Sequence, residues 1–156
     1  MNRPELKPII IKFVVLFLLL IPAQAYSKDV TAKVAKETQI DEQVELFCSI
    51  YCIGNERKGT LKSVSIEPSK NDQYKVQGKA YFRNRQVAGS PLNRTIYDRV
   101  VIVNSEGTLN PETCKLKVDD VTVENDFQNI VTNLLESNTD VIGKVVYVPN
   151  CKSYIN

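Results

Sequence analysis

Cys48 and Cys52 stand four residues apart in the stretch VELFCSIYCIG, residues 44–54, and offer the widest choice of chemistry in this chain. Two such thiols can run dithiol–disulfide exchange, clip a metal ion, or anchor staples to cysteines elsewhere. A redox pair uses C-x-x-C spacing, with its first thiolate stabilised at a helix N-terminus. Here the spacing is C-x-x-x-C, near the helix end that Gly54-Asn55 announces. The partial negative charge at that end disfavours a thiolate, so redox work at Cys48/Cys52 is the runner-up reading. A zinc site is disfavoured because Cys114 and Cys151 lack a tight pair and oxidation competes in an exported chain.

The even count of four cysteines is therefore read as two disulfides, with three connectivities open. A bond within the helix, Cys48–Cys52, leaves Cys114–Cys151. The other two connectivities send each helix cysteine to a distant partner, and the expectation rests on these. Closing a loop of about 60 residues, as between Cys52 and Cys114, is worth about 4 kcal/mol in the chain-entropy model, and a four-residue loop far less.

Absent residues narrow the chemistry further. The chain has no histidine, which removes Ser-His-Asp and Cys-His nucleophilic sites and the commonest zinc ligand. It has no tryptophan, and its six glycines form no phosphate-cradling loop. No catalytic residue, cofactor or metal site is assigned. The acidic stretch Asp119, Asp120, Glu124 and Asp126 lacks calcium-loop spacing, and bend and helix-cap duty account for it.

Arg83, Arg85, Arg94 and Arg99, with Tyr81 and Tyr97, cluster around an expected loop at 84–95 and form the candidate partner-binding residues. If the loop folds back between its strands, several guanidinium groups can face one anion or acidic partner. The plainer reading is a solvated hairpin edge whose charges discourage aggregation.

The elements that must position these groups follow from hydrophobic period. Ile40, Val44, Phe47, Cys48 and Tyr51 form one helical stripe, predicting a helix over 38–53 that can reach back to 30. From Thr60 the period falls to two. Val64 and Ile66, then Tyr74, Val76, Gly78, Ala80 and Phe82, flank the polar turn 68–72 and read as an antiparallel hairpin with one wet face. A strand follows over 96–103, then a turn around Glu106-Gly107 and Asn110-Pro111. In the next strand the alternation slips by one at Asp119-Asp120, which predicts a bulge. Phe127, Ile130, Val131, Leu134 and Leu135 stripe a second helix capped by Asn125 or Asp126 and closed by 137–140. Val141 to Val148 reads as a central strand, because it is apolar on both faces.

The predicted fold is α+β: a mostly antiparallel curved sheet of about five strands, an N-terminal helix, a second helix before the last strand, and two disulfides. Cystatin-like and NTF2-like sheets share this coarse element order, but no motif of either is present and no family is assigned.

The first 25 residues read as a cleaved secretory signal peptide. They carry a basic start (Arg3, Lys7, Lys12), the apolar run Phe13 to Ile21, and the small-x-small site Ala23-Gln24-Ala25. The run is shorter than the about 20 residues a membrane span needs, so no stable span is expected after cleavage. Residues 26–156 then form a single domain. The net charge of +2 leaves with the signal, whose three basic residues outnumber Glu5. A neutral remainder gives no bulk attraction to nucleic acid. Localisation is read as periplasmic or secreted, the periplasm fitting the signal better. Asn93-Arg94-Thr95 would be a glycosylation acceptor on a eukaryotic route. The expected function is a small exported non-catalytic module, binding or structural, that works through contacts with an envelope or external protein, made by the 84–95 loop or an open sheet edge. The alternatives are the redox protein and a pocket for a small apolar ligand.

Overall fold

The computed structural model describes residues 27–137 and 141–156. The expected signal peptide lies outside these residues, as do Asn138, Thr139 and Asp140, expected to close the second helix. The fold is α+β. One open antiparallel sheet runs in chain order through β1 (Lys28–Asp29), β2 (Glu56–Pro68), β3 (Tyr74–Val87), β4 (Thr95–Asn110), β5 (Lys115–Glu124) and β6 (Val145–Tyr147). The sixth strand, beyond the expected five, is the two-residue β1. Four helices accompany the sheet among the described residues: α1 (Thr31–Thr38), α2 (Ile40–Tyr51), α3 (Ile130–Ser137) and α4 (Lys152–Ile155).

The predicted first helix is two helices. Gln39 adopts a left-handed φ of 54° and breaks the chain between α1 and α2. The amide of Gln39 still donates to the Ala35 carbonyl at 3.1 Å, and its own carbonyl accepts from Gln43 at 3.2 Å. The break costs little backbone hydrogen bonding and lets each helix lay its own stripe on the sheet. Val34 of α1 packs beside Val64, whereas Cys48 of α2 packs beside Phe82.

Alternation sorts the strands cleanly. Ile66 stands opposite Val76, Phe82 opposite Val101 and Leu109 opposite Leu116, and directly paired residues share a face. Helices cover that face alone. Its core is two clusters: Val30, Val64, Ile66, Leu109, Cys151 and Tyr154 in one, and Cys48, Cys52, Phe82, Val101 and Val131 in the other. Gly59 belongs to the covered face opposite Phe82. A Cβ there would lie 2.2 Å from the Val44 carbonyl oxygen, so α2 rests its backbone directly on β2.

The predicted bulge is present: Glu106 pairs with Asp120 and Gly107 with Val118, leaving Asp119 as the extra residue. The turn expected at Glu106-Gly107 is absent, and β4 runs through it. The glycine serves the bulge, since a Cβ on it would meet the Lys117 carbonyl at 2.7 Å. The expected 84–95 loop shortens to 88–94, because β3 continues to Val87. The second helix starts at Ile130, later than its stripe suggested. Asp126 caps it, with Oδ2 accepting from the Thr132 amide at 2.7 Å.

The last strand is a correction. Val145–Tyr147 is a three-residue edge pairing only with β5, not a central strand. In a meander each strand lies beside its chain neighbours, so the final strand ends at the rim, and apolar composition on both faces cannot move it inward.

Candidate functional site

The disulfides differ from the distant staples expected. Cys48 bonds Cys52 with Cα atoms 4.7 Å apart, and Cys114 bonds Cys151 at 5.4 Å. No cysteine among the described residues is free. The reason is geometric: the two pairs belong to different core clusters, so each thiol meets only the partner in its own cluster. Loop-closure entropy says how much a bond stabilises, not which sulfurs meet. Cys52 ends α2 in extended conformation while its amide still donates to the Cys48 carbonyl at 2.9 Å, which keeps both side chains over the sheet. Both are sealed there, at 1% and 7% exposure.

Beneath that pair lies Asn84, a buried polar residue that the sequence reading grouped with the loop. Its Oδ1 accepts from the Ile53 amide at 2.7 Å, and its Nδ2 donates to the Phe82 carbonyl at 3.0 Å. It satisfies the backbone where the chain leaves α2. Its position two residues after Phe82, on the apolar side of the alternation, was the available signal.

Five of the six candidate partner-binding residues divide between two faces of the sheet. Tyr81, Arg83 and Arg85 sit on the face without helices, opposite Ile102, Val100 and Asp98. Arg83 holds Asp98 through two guanidinium nitrogens, one at 2.8 Å. Arg85 reaches Glu56 at 2.6 Å and Asp98 at 3.6 Å. The hydrogen bond from Arg83 holds the Asp98 carboxyl below its usual value, and the same bond raises the Arg83 pKa. Lys62 lies 4.9 Å above the Tyr81 ring. Tyr97 and Arg99 project to the covered face, where the Arg99 guanidinium lies 5.4 Å over Phe127 and the Tyr97 ring 6.3 Å from it. Arg94 belongs to the 88–94 loop, its carbonyl accepting from the Ala88 amide at 2.8 Å. Two of the four guanidinium groups therefore already face carboxylates. The acidic stretch is likewise engaged: Glu124 accepts from Asn104 at 2.7 Å, and Asp119 at the bulge meets Thr108 and Lys117.

The open edge of the sheet was named by no residue in advance. The Val148 amide donates to the Cys114 carbonyl at 2.8 Å, and the Val118 amide to the Lys144 carbonyl at 2.9 Å. These bonds turn residues 144, 146 and 148 toward β5. Ladder alternation then turns the amide and carbonyl groups of Val145 and Tyr147 outward. All three β6 side chains are exposed, Val145 at 53%, Val146 at 38% and Tyr147 at 69%, with Ile142 exposed nearby.

Hollows border the described residues, among them an open one of about 360 Å³ beside Arg99 and Phe127. The cleft between α2, α3 and the sheet, lined by Phe47, Phe82, Val101, Phe127 and Val131, has a volume of about 10 Å³. That is room for about one water and far below a ligand pocket. A wider groove of about 510 Å³ lies between the end of α1 at Glu37 and the C-terminal segment, with the Cys114–Cys151 disulfide in its wall. Among the described residues no helix is long and apolar enough to cross a membrane. No protein-family model, curated protein or solved structure matches this chain, so its reading rests on the geometry above.

Proposed function

We propose that this chain is a small exported module without catalytic activity, which binds a protein partner in the cell envelope or outside the cell. The supporting observation is the β6 edge. Sheet edges are usually blunted by short strands, charge, proline or a bulge, because their unpaired backbone groups template another strand; β6 is short, at three residues, but carries no charge. Val145 and Tyr147 instead combine outward backbone groups with exposed apolar side chains. The partner suited to such an edge offers an extended segment: its main chain continues the ladder and its alternate side chains meet Val145 and Tyr147. The sealed Cys48–Cys52 pair and the one-water cleft favour this reading over redox work at that pair and over an apolar-ligand pocket.

Photo-crosslinking in the native envelope tests it. A benzophenone amino acid at Tyr147 should give a discrete protein adduct that the same probe at Asp72, in the β2–β3 turn, does not. Val145→Pro removes an outward amide without touching the β5 ladder and should abolish the adduct. Equal crosslinking from both positions, or an adduct indifferent to Val145→Pro, refutes the edge as the binding site.

A further inference from the structure

The two disulfides stand in opposite settings. Cys48 and Cys52 are both sealed in the cluster under α2 and α3. Cys114 is partly exposed in the β4–β5 turn, and with Cys151 it lines the open groove of about 510 Å³. A thiolate entering that groove can approach the sulfur of Cys114, while Cys151 behind it is at 0% exposure. From these positions we infer that Cys114–Cys151 is a thiol–disulfide exchange site whose opening releases the C-terminal segment 148–156. The co-reactant is an external dithiol, small or protein-borne.

In the first step its thiolate attacks Cys114 Sγ. A mixed disulfide forms, the Cys114–Cys151 bond breaks, and the electron pair leaves on Cys151 Sγ, which takes a proton from solvent. The second thiol of the dithiol then displaces Cys114. The dithiol ends oxidised by two electrons, and the protein carries two thiols.

Besides the disulfide, the segment is held by the packing of Val148, Tyr154 and Ile155 against the first cluster, by Lys33 over the Tyr154 ring at 5.4 Å, and by few hydrogen bonds. Its polar ties are the Val148 amide to the Cys114 carbonyl, Lys33 to the Ser153 carbonyl and Lys28 to the Asn156 carbonyl. The lysine ties are solvent-exposed. Against them, Ser153 Oγ is buried without a hydrogen-bond partner, a setting that costs stability. The disulfide is thus the latch that keeps Cys151 and Tyr154 over Val30 and Leu109. This inference does not depend on a partner at the β6 edge.

Timed dithiothreitol treatment of the native, fully oxidised protein, quenched with iodoacetamide and mapped by peptide mass, tests it. Alkylation at Cys114 and Cys151 should appear at least tenfold faster than at Cys48 and Cys52. With glutathione as reductant, the first adduct should sit on Cys114. Hydrogen exchange on the singly reduced protein should then rise across 148–156 at least tenfold more than in β2 and β3. Faster opening of Cys48–Cys52, simultaneous opening of both bonds, or unchanged exchange across 148–156 overturns the inference.

Discussion

Replacing Gly59 by alanine tests how closely the first helices rest on the sheet. The added Cβ would lie 2.2 Å from the Val44 carbonyl oxygen, 2.7 Å from its carbon and 3.0 Å from Glu45 Cα. All three are backbone atoms, so no side chain can swing aside. Restoring ordinary contact moves α2 away from β2 by about 1 Å, and the same helix seats Cys48 and Phe47 against Phe82. Overpacking of this kind costs about 1–3 kcal/mol, and partial loss of core contacts adds to it. The stiffer unfolded chain returns about 0.4–1 kcal/mol. A net loss of about 2–4 kcal/mol is expected, read by urea denaturation with both disulfides intact. Gly89→Ala is the control, since its Cβ would meet nothing within 4 Å, and it should fall within about 0.5 kcal/mol of wild type. A Gly59→Ala protein equally close to wild type would refute direct backbone contact between α2 and β2.

Four further outcomes follow from the packing and the charges. Removing Cys114–Cys151 by paired alanines should destabilise more than removing Cys48–Cys52. Sequence separations of 37 and 4 residues give about 4 and about 2 kcal/mol in the chain-entropy model, and equal losses in paired urea melts would contradict this. Asn84→Ala leaves the partly buried Ile53 amide without its acceptor and should cost about 1–3 kcal/mol by the same assay, whereas an unchanged midpoint would mean water replaces the side chain. The Tyr154 hydroxyl is pushed up to about 12, first by burial and then by its hydrogen bond to Glu37 and the Glu37 charge. Above pH 10 the unfolded chain loses this proton while the native one keeps it, so the associated stability is complete below pH 10 and lost as pH rises toward 12. Tyr154→Phe should flatten that alkaline decline. At the acid end Asp98 works with the opposite sign: its stability is complete above the ordinary carboxylate range and lost as pH falls through its lowered value, so Asp98→Asn should flatten the acid limb.

The sequence by itself determined what depends on neighbours along the chain. Periods of 3.6 and 2 located the helical stripes and the two faces of each strand. The slip at Asp119 marked the bulge because an extra residue shifts every later side chain to the other face. The Asn71-Asp72 turn was legible because these residue types tolerate the left-handed backbone they adopt, with φ of 57° and 55°. The candidate site was legible only in part. Arg83 and Arg85 were named, but their partners Asp98 and Glu56 come from other strands, and no local rule pairs residues across a sheet. Strand order placed Val145–Tyr147 at the rim, where the same apolar side chains that suggest a core become an exposed edge. Cysteine pairing was a tertiary decision too. Cys48 and Cys151 are both buried, but over different stretches of the sheet, so proximity within each cluster outweighed the entropy that favours longer loops.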